Sequence, residues 1–103
     1  MISDRNTDGD WNAVIKILEA VKSKITVETD LLWTSYNSVE ELTTEINEIE
    51  NLLREKNNKA LELLGYLFAP TGTLQEISMQ NEWIQEYMNL SSEFDTLYKI
   101  LKT

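Results

Sequence analysis

The sequence predicts an all-α protein, an antiparallel up-down-up bundle of three long helices. Three observations lead there. Apolar residues recur at steps of three and four along most of the chain, nothing reads as a sheet, and turn chemistry gathers around Asn37-Ser38 and Pro70-Thr71-Gly72. With 103 residues, the chain forms one domain rather than two.

Residues 1–9 are polar and aperiodic and read as a flexible acidic tail before a single domain over 10–103. Asp10 reads as the N-cap of a first helix over about 10–36. Trp11, Val14, Leu18, Val21, Ile25, Leu32 and Tyr36 carry its periodicity. The β-branched run Ile25-Thr26-Val27, with Thr29, lowers helix propensity and leaves open a break between Ser23 and Asp30.

The second helix, about 38–65, has the strongest pattern. Val39, Leu42, Ile46, Ile49 and Leu53 form a heptad seam, and Ala60, Leu64 and Leu67 continue it. Ser38 and Glu41 read as a capping box, with Asn37 closing the helix before it. The alternative is one helix from Trp11 to Leu64, roughly 80 Å long, an awkward shape for a monomer. Three helices of roughly 40 Å each match better. Asn57-Asn58 marks a notch or a kink.

Gly65 and Pro70-Thr71-Gly72 end that region, and Thr73 with Glu76 reads as the capping box of a third helix over about 73–101. Its stripe is Leu74, Ile77, Ile84, Tyr87, Phe94, Tyr98 and Leu101. Ser91 on the seam, with a second capping box from Ser92 and Asp95, places a kink near residue 91.

Composition excludes several kinds of chemistry. Cysteine and histidine are both absent, which removes thiol catalysis, Cys/His zinc sites, histidine bases and disulfides. No Gly-rich phosphate loop is present, and no cofactor is expected. Eighteen acidic against nine basic residues give a net charge of −9, the wrong sign for a nucleic-acid binder. No apolar run follows Met1, and the charge-free stretch over 63–75 is broken by Gly65, Pro70 and Gly72. Neither a signal peptide nor a membrane span is therefore expected, and the default location is the cytoplasm.

The charges fall in blocks. No Lys or Arg lies between Lys24 and Arg54, where Glu28, Asp30, Glu40, Glu41, Glu45, Glu48 and Glu50 all occur. Glu50–Arg54, Glu55–Lys59 and Asp95–Lys99 have stabilising i,i+4 spacing, whereas Glu41–Glu45 and Glu82–Glu86 are like-charge pairs. Glu41, Glu45 and Glu48 form an acidic ridge beside the Leu42/Ile46/Ile49 seam. Such a ridge either solubilises the protein or docks on a basic partner.

Two groups of residues invite a metal. Asp4, Asn6, Asp8, Gly9 and Asp10 match the early positions of a calcium loop, but Ile15 stands where the bidentate glutamate belongs. The paired glutamates have same-face spacing but lack the histidines of known bundle sites. Aromatic residues offer partner contacts instead. Trp33 and Trp83 each sit one position off a seam, and Tyr66 and Phe68 flank the Pro-Thr-Gly turn. Residues 63–74 carry more apolar chemistry than a connection needs and rank first as a site. The predicted partner-binding set is Trp33, Glu41, Glu45, Glu48, Tyr66, Phe68 and Trp83.

The expected function is therefore non-enzymatic. It is a protein–protein interaction module of inhibitor, immunity or antitoxin type that presents acidic side chains to a basic protein. The alternatives are a self-associating helical adaptor, whose partner is a second copy, and a divalent-metal-binding helical protein. Neither nucleic acid nor membrane is an expected partner.

Overall fold

The computed structural model describes residues 7–32, 34–70 and 72–102. The described residues form five helices: α1 (Asp8–Lys24), α2 (Val39–Arg54), α3 (Asn58–Leu67), α4 (Thr73–Gln80) and α5 (Ile84–Leu101). The all-α bundle stands, but the three-helix architecture is overturned. The first long helix stops early, and each of the other two is broken in the middle.

α1 begins before the expected Asp10 cap, with Thr7 at the N-cap and Asp8 and Asp10 in the first turn, where carboxylates meet the positive end of the helix dipole. Asp8 and Gly9, assigned to the tail, are thus helical. At Ile25 the backbone turns extended (φ −95°, ψ 117°), so the β-branched run ends the helix. Beyond it, short side chains take over the backbone amides. The Thr29 hydroxyl accepts from Thr26 N at 2.8 Å, the Asp30 carboxylate from Leu32 N at 2.9 Å, and the Thr34 hydroxyl from Tyr36 N at 3.2 Å. These local bonds replace a helical ladder. Asn81 ties the segment to the turn after α4, accepting from Asp30 N at 2.9 Å and donating to Asp30 O at 3.1 Å.

The other two breaks are built alike. After α2, Lys56 adopts φ 55°, Lys56 N donates to Leu53 O at 2.9 Å and Asn57 N to Leu52 O at 3.0 Å. This is a Schellman closure with lysine in the left-handed position. Asn57 then caps α3, its side chain accepting from Lys59 N at 2.9 Å, so the Asn57-Asn58 notch is a full break. After α4, Glu82 adopts φ 65° and Trp83 N donates to Ser78 O at 2.9 Å. That reversal folds Trp83 back into the core, where it is 4% exposed.

Three smaller expectations also change. Gly65 lies inside α3 rather than ending it. Gly72, not Thr73, is the N-cap of α4, and no side chain caps that end. A Cβ on Gly72 would stand 2.8 Å from Ala69 O and 3.1 Å from Tyr66 O, so the turn admits only glycine without moving backbone. α5 runs unbroken past Ser91 and Ser92, so no second helix start or capping box forms there. The Ser38 cap is as expected, its hydroxyl accepting from Glu41 N at 3.1 Å.

α1 is the common neighbour of α2 and α5 and runs antiparallel to both. Along α2, Lys22 meets Glu50 and Asn47, Arg54 meets Glu19, and Lys56 meets Asp8. Along α5, Lys24 meets Glu86 at 3.0 Å. Two neighbours require a wide apolar stripe, which explains why Ile15 and Ile17 join Trp11, Val14, Leu18 and Val21 in the core. From α2, Leu42, Ile46, Ile49 and Leu53 are buried, and the seam resumes as Ala60, Leu61, Leu64 and Leu67 of α3. Phe68, just after α3, stacks on Phe94 (ring centroids 4.6 Å apart) and Tyr87 (5.9 Å). Burial pushes the Tyr87 phenol up from its ordinary pKa. The described residues extend over 50 × 24 × 19 Å.

Candidate interaction surface

The seam of α2 and the stripe beside it face different surroundings. Leu42, Ile46, Ile49 and Leu53 turn into the core. One position earlier, Glu41, Glu45, Glu48 and Leu52 repeat with the same helical spacing. A one-residue step rotates a side chain by about 100°, which brings this second stripe to the edge of the core. There it lines an open groove of ≈ 580 Å³ with Tyr36, Ser38, Glu40, Thr44, Ile49 and Leu63.

The groove is divided chemically. Leu52 and Leu63 are half-buried, and with Ile49 they form an apolar floor contributed by α2 and α3. Glu40, Glu41, Glu45 and Glu48 supply the acid. Glu40 and Glu41 lie in the first turn of α2 and have a structural reason to be acidic, because the helix dipole favours them. Glu45 and Glu48 lie farther along and lack that reason. Burial, followed by the neighbouring Glu48 charge, raises the Glu45 carboxyl above its ordinary pKa. Among the described residues its close polar partner is the Tyr36 hydroxyl, which donates to Glu45 Oε2 and holds the preceding segment against α2. Among the described residues, the ion pairs use Lys22, Lys24, Arg54 and Lys56, and none of these lines the groove.

The predicted site residues therefore separate. Glu41, Glu45 and Glu48 come together in one groove. Phe68 and Trp83, assigned to partner contacts, are 5% and 4% exposed and belong to the core. Their removal from the surface has a local cause in each case: the aromatic stack for Phe68 and the chain reversal at Glu82 for Trp83. Tyr66 remains accessible at 76% and lines a separate cleft with Glu62, Gly65, Tyr98 and Lys102. The segment over 63–74 is consequently less of a surface than its composition suggested, since Leu64, Leu67, Phe68 and Leu74 are all buried. Trp33 lies outside the described residues.

Of the calcium-loop residues, Asp4 and Asn6 lie outside the described residues. Asp8 and Asp10 are in the first turn of α1, and Asp8 pairs with Lys56. Helix from Asp8 onward replaces the turn that a calcium loop needs. Among the described residues, no group of three or more acidic side chains gathers to hold a metal ion.

Sequence reasoning missed Tyr36 and Leu52 as parts of the site, and it read Leu63 as the start of the 63–74 segment rather than as a neighbour of the acidic ridge. Leu52 was visible as the continuation of the Glu41/Glu45/Glu48 stripe. Leu63 was not, because it reaches the groove from another helix. No described helix is long and apolar enough to cross a membrane. No protein-family model, curated protein or solved structure matches the chain.

Proposed function

We propose that the protein is a non-enzymatic interaction module that docks on a basic protein through the groove along α2, in the manner of an acidic inhibitor, immunity protein or antitoxin. One observation carries this reading. Four glutamates line one groove together with Ile49, Leu52 and Leu63, while the chain's described ion pairs lie elsewhere. A field of one sign steers an oppositely charged protein to the surface, and the floor gives it apolar area to bury. The self-associating alternative draws less support, because the seam that would drive it is buried against the protein's own helices.

The test compares the wild-type protein with Glu41→Gln/Glu45→Gln/Glu48→Gln as tagged bait in the native host. Wild type should retain one basic protein near 1:1 at low salt and lose it at high salt, because screening removes long-range attraction. Calorimetry with that purified partner should show affinity falling about tenfold or more in the triple variant, whose helicity is unchanged. Unchanged affinity, or recovery of only the protein's own copies at both salt concentrations, contradicts the proposal.

A further inference from the structure

Resting on that reading, we infer that the groove along α2 is shaped for a basic amphipathic α-helix, and that the apolar floor as well as the acidic rim recognises it. The floor is Ile49, Leu52 and Leu63, and the rim is Glu41, Glu45 and Glu48. The rim acids are spaced by one helical turn, about 5–6 Å, so a helix laid alongside places Lys or Arg opposite each one with a single repeat of three and four. The same repeat turns its apolar residues toward Leu52 and Leu63. Volume permits this: ≈ 580 Å³ accommodates several side chains but not a second domain.

Other modes of peptide recognition fit less well. Strand addition takes its affinity from main-chain bonds to an exposed sheet edge, and the described residues contain no strand. A polyproline helix docks between aromatic rings, whereas among the described residues Tyr36 is the one aromatic lining this groove. A second copy of the chain would bring another net −9, and four of its bases already hold acids of their own. Charge complementarity therefore selects a different chain, one with lysine or arginine flanking a short apolar stripe.

The experiment titrates the full-length protein with three end-blocked synthetic peptides of equal positive charge. One has leucine and lysine at heptad spacing, one alternates leucine and lysine with period two, and one is oligolysine. Calorimetry gives affinity, and methyl NMR locates contact. The heptad peptide should bind at least about tenfold tighter than either control, because a leucine leaving water is worth that much. It should shift the methyls of Ile49, Leu52 and Leu63 and leave Val14 and Val21 unmoved. Leu63→Asn should cut its affinity about tenfold and leave oligolysine binding little changed. If that variant is misfolded by circular dichroism, Leu52→Ala gives a smaller drop in the same direction. Equal binding of all three peptides overturns the helical occupant and leaves an acidic docking surface standing. Failure of all three to bind, or binding indifferent to Glu41→Gln/Glu45→Gln/Glu48→Gln, overturns the acidic surface as well.

Discussion

Glu45 and Glu50 lie five residues apart on the same helix, yet their environments are opposite. Glu50 is nearly buried, between Lys22 at 2.9 Å and Arg54 at 2.5 Å. The hydrogen bond from Lys22 is the main reason its carboxyl falls below the ordinary glutamate pKa, despite the opposing effect of burial. Glu45 has Glu48 beside it and no described base within ion-pair distance, and its carboxyl is raised. Glu50 joins α1 to α2, so its charge is matched inside the fold. Glu45 lies at the edge of a groove with no described base beside it, which on the proposed reading leaves its charge to a partner. An acidic composition alone does not separate these two uses of glutamate; the location of the bases does.

The largest effect should come from breaking the matched site. Glu50→Ala leaves Lys22 without its carboxylate and should lower stability by about 1–2 kcal/mol in urea denaturation, the partial exposure of both bases keeping the loss modest. Glu45→Gln should change stability by less than about 0.5 kcal/mol while weakening partner binding. A large loss of stability in Glu45→Gln would place that residue in the framework and erase the contrast.

Acidity sharpens the comparison next. The lowered Glu50 pKa means that its stabilising contribution is complete above the ordinary glutamate range, about pH 4–5, and is lost as pH falls through the lowered value. The raised Glu45 pKa acts in reverse, the folded state losing stability as pH rises through it. Urea midpoints measured from about pH 3 to 7 should therefore flatten on the acid side in Glu50→Gln. In Glu45→Gln the decline above about pH 4 should shrink instead.

A more local effect concerns the groove wall. Tyr36→Phe removes the hydroxyl that donates to Glu45 and should cost about 0.5–1 kcal/mol. Amide exchange in the segment between α1 and α2 should speed up in the variant, whereas exchange in the core of α1 should not. Equal acceleration in both would mean that Tyr36 supports the whole bundle.

The sequence revealed the seams of this fold better than its corners. Leu42, Ile46, Ile49 and Leu53 stand out because a repeat of three and four survives every local accident. The end of α1 was half legible, since the run from Ile25 weakens a helix without saying where it stops. The break at Lys56 was legible only as a notch or kink at Asn57-Asn58 and the one at Glu82 not at all, because glycine or asparagine is the usual mark of a left-handed closing residue, and here a lysine and a glutamate occupy those positions. Missing the reversal at Glu82 carried a second error with it, for that turn is what buries Trp83. On the candidate surface, the base-free block exposed the acids, but an apolar floor assembled from α2 and α3 depends on tertiary packing.

The most direct test is a carboxyl-carbon NMR titration of the free protein, with Glu45 and Glu50 assigned. Glu45 should titrate above the ordinary glutamate value and Glu50 below it, leaving Glu45 the readier of the two to be stabilised by an incoming base. Equal midpoints, or Glu45 titrating below Glu50, would contradict the distinction between an internally matched charge and one left for a partner.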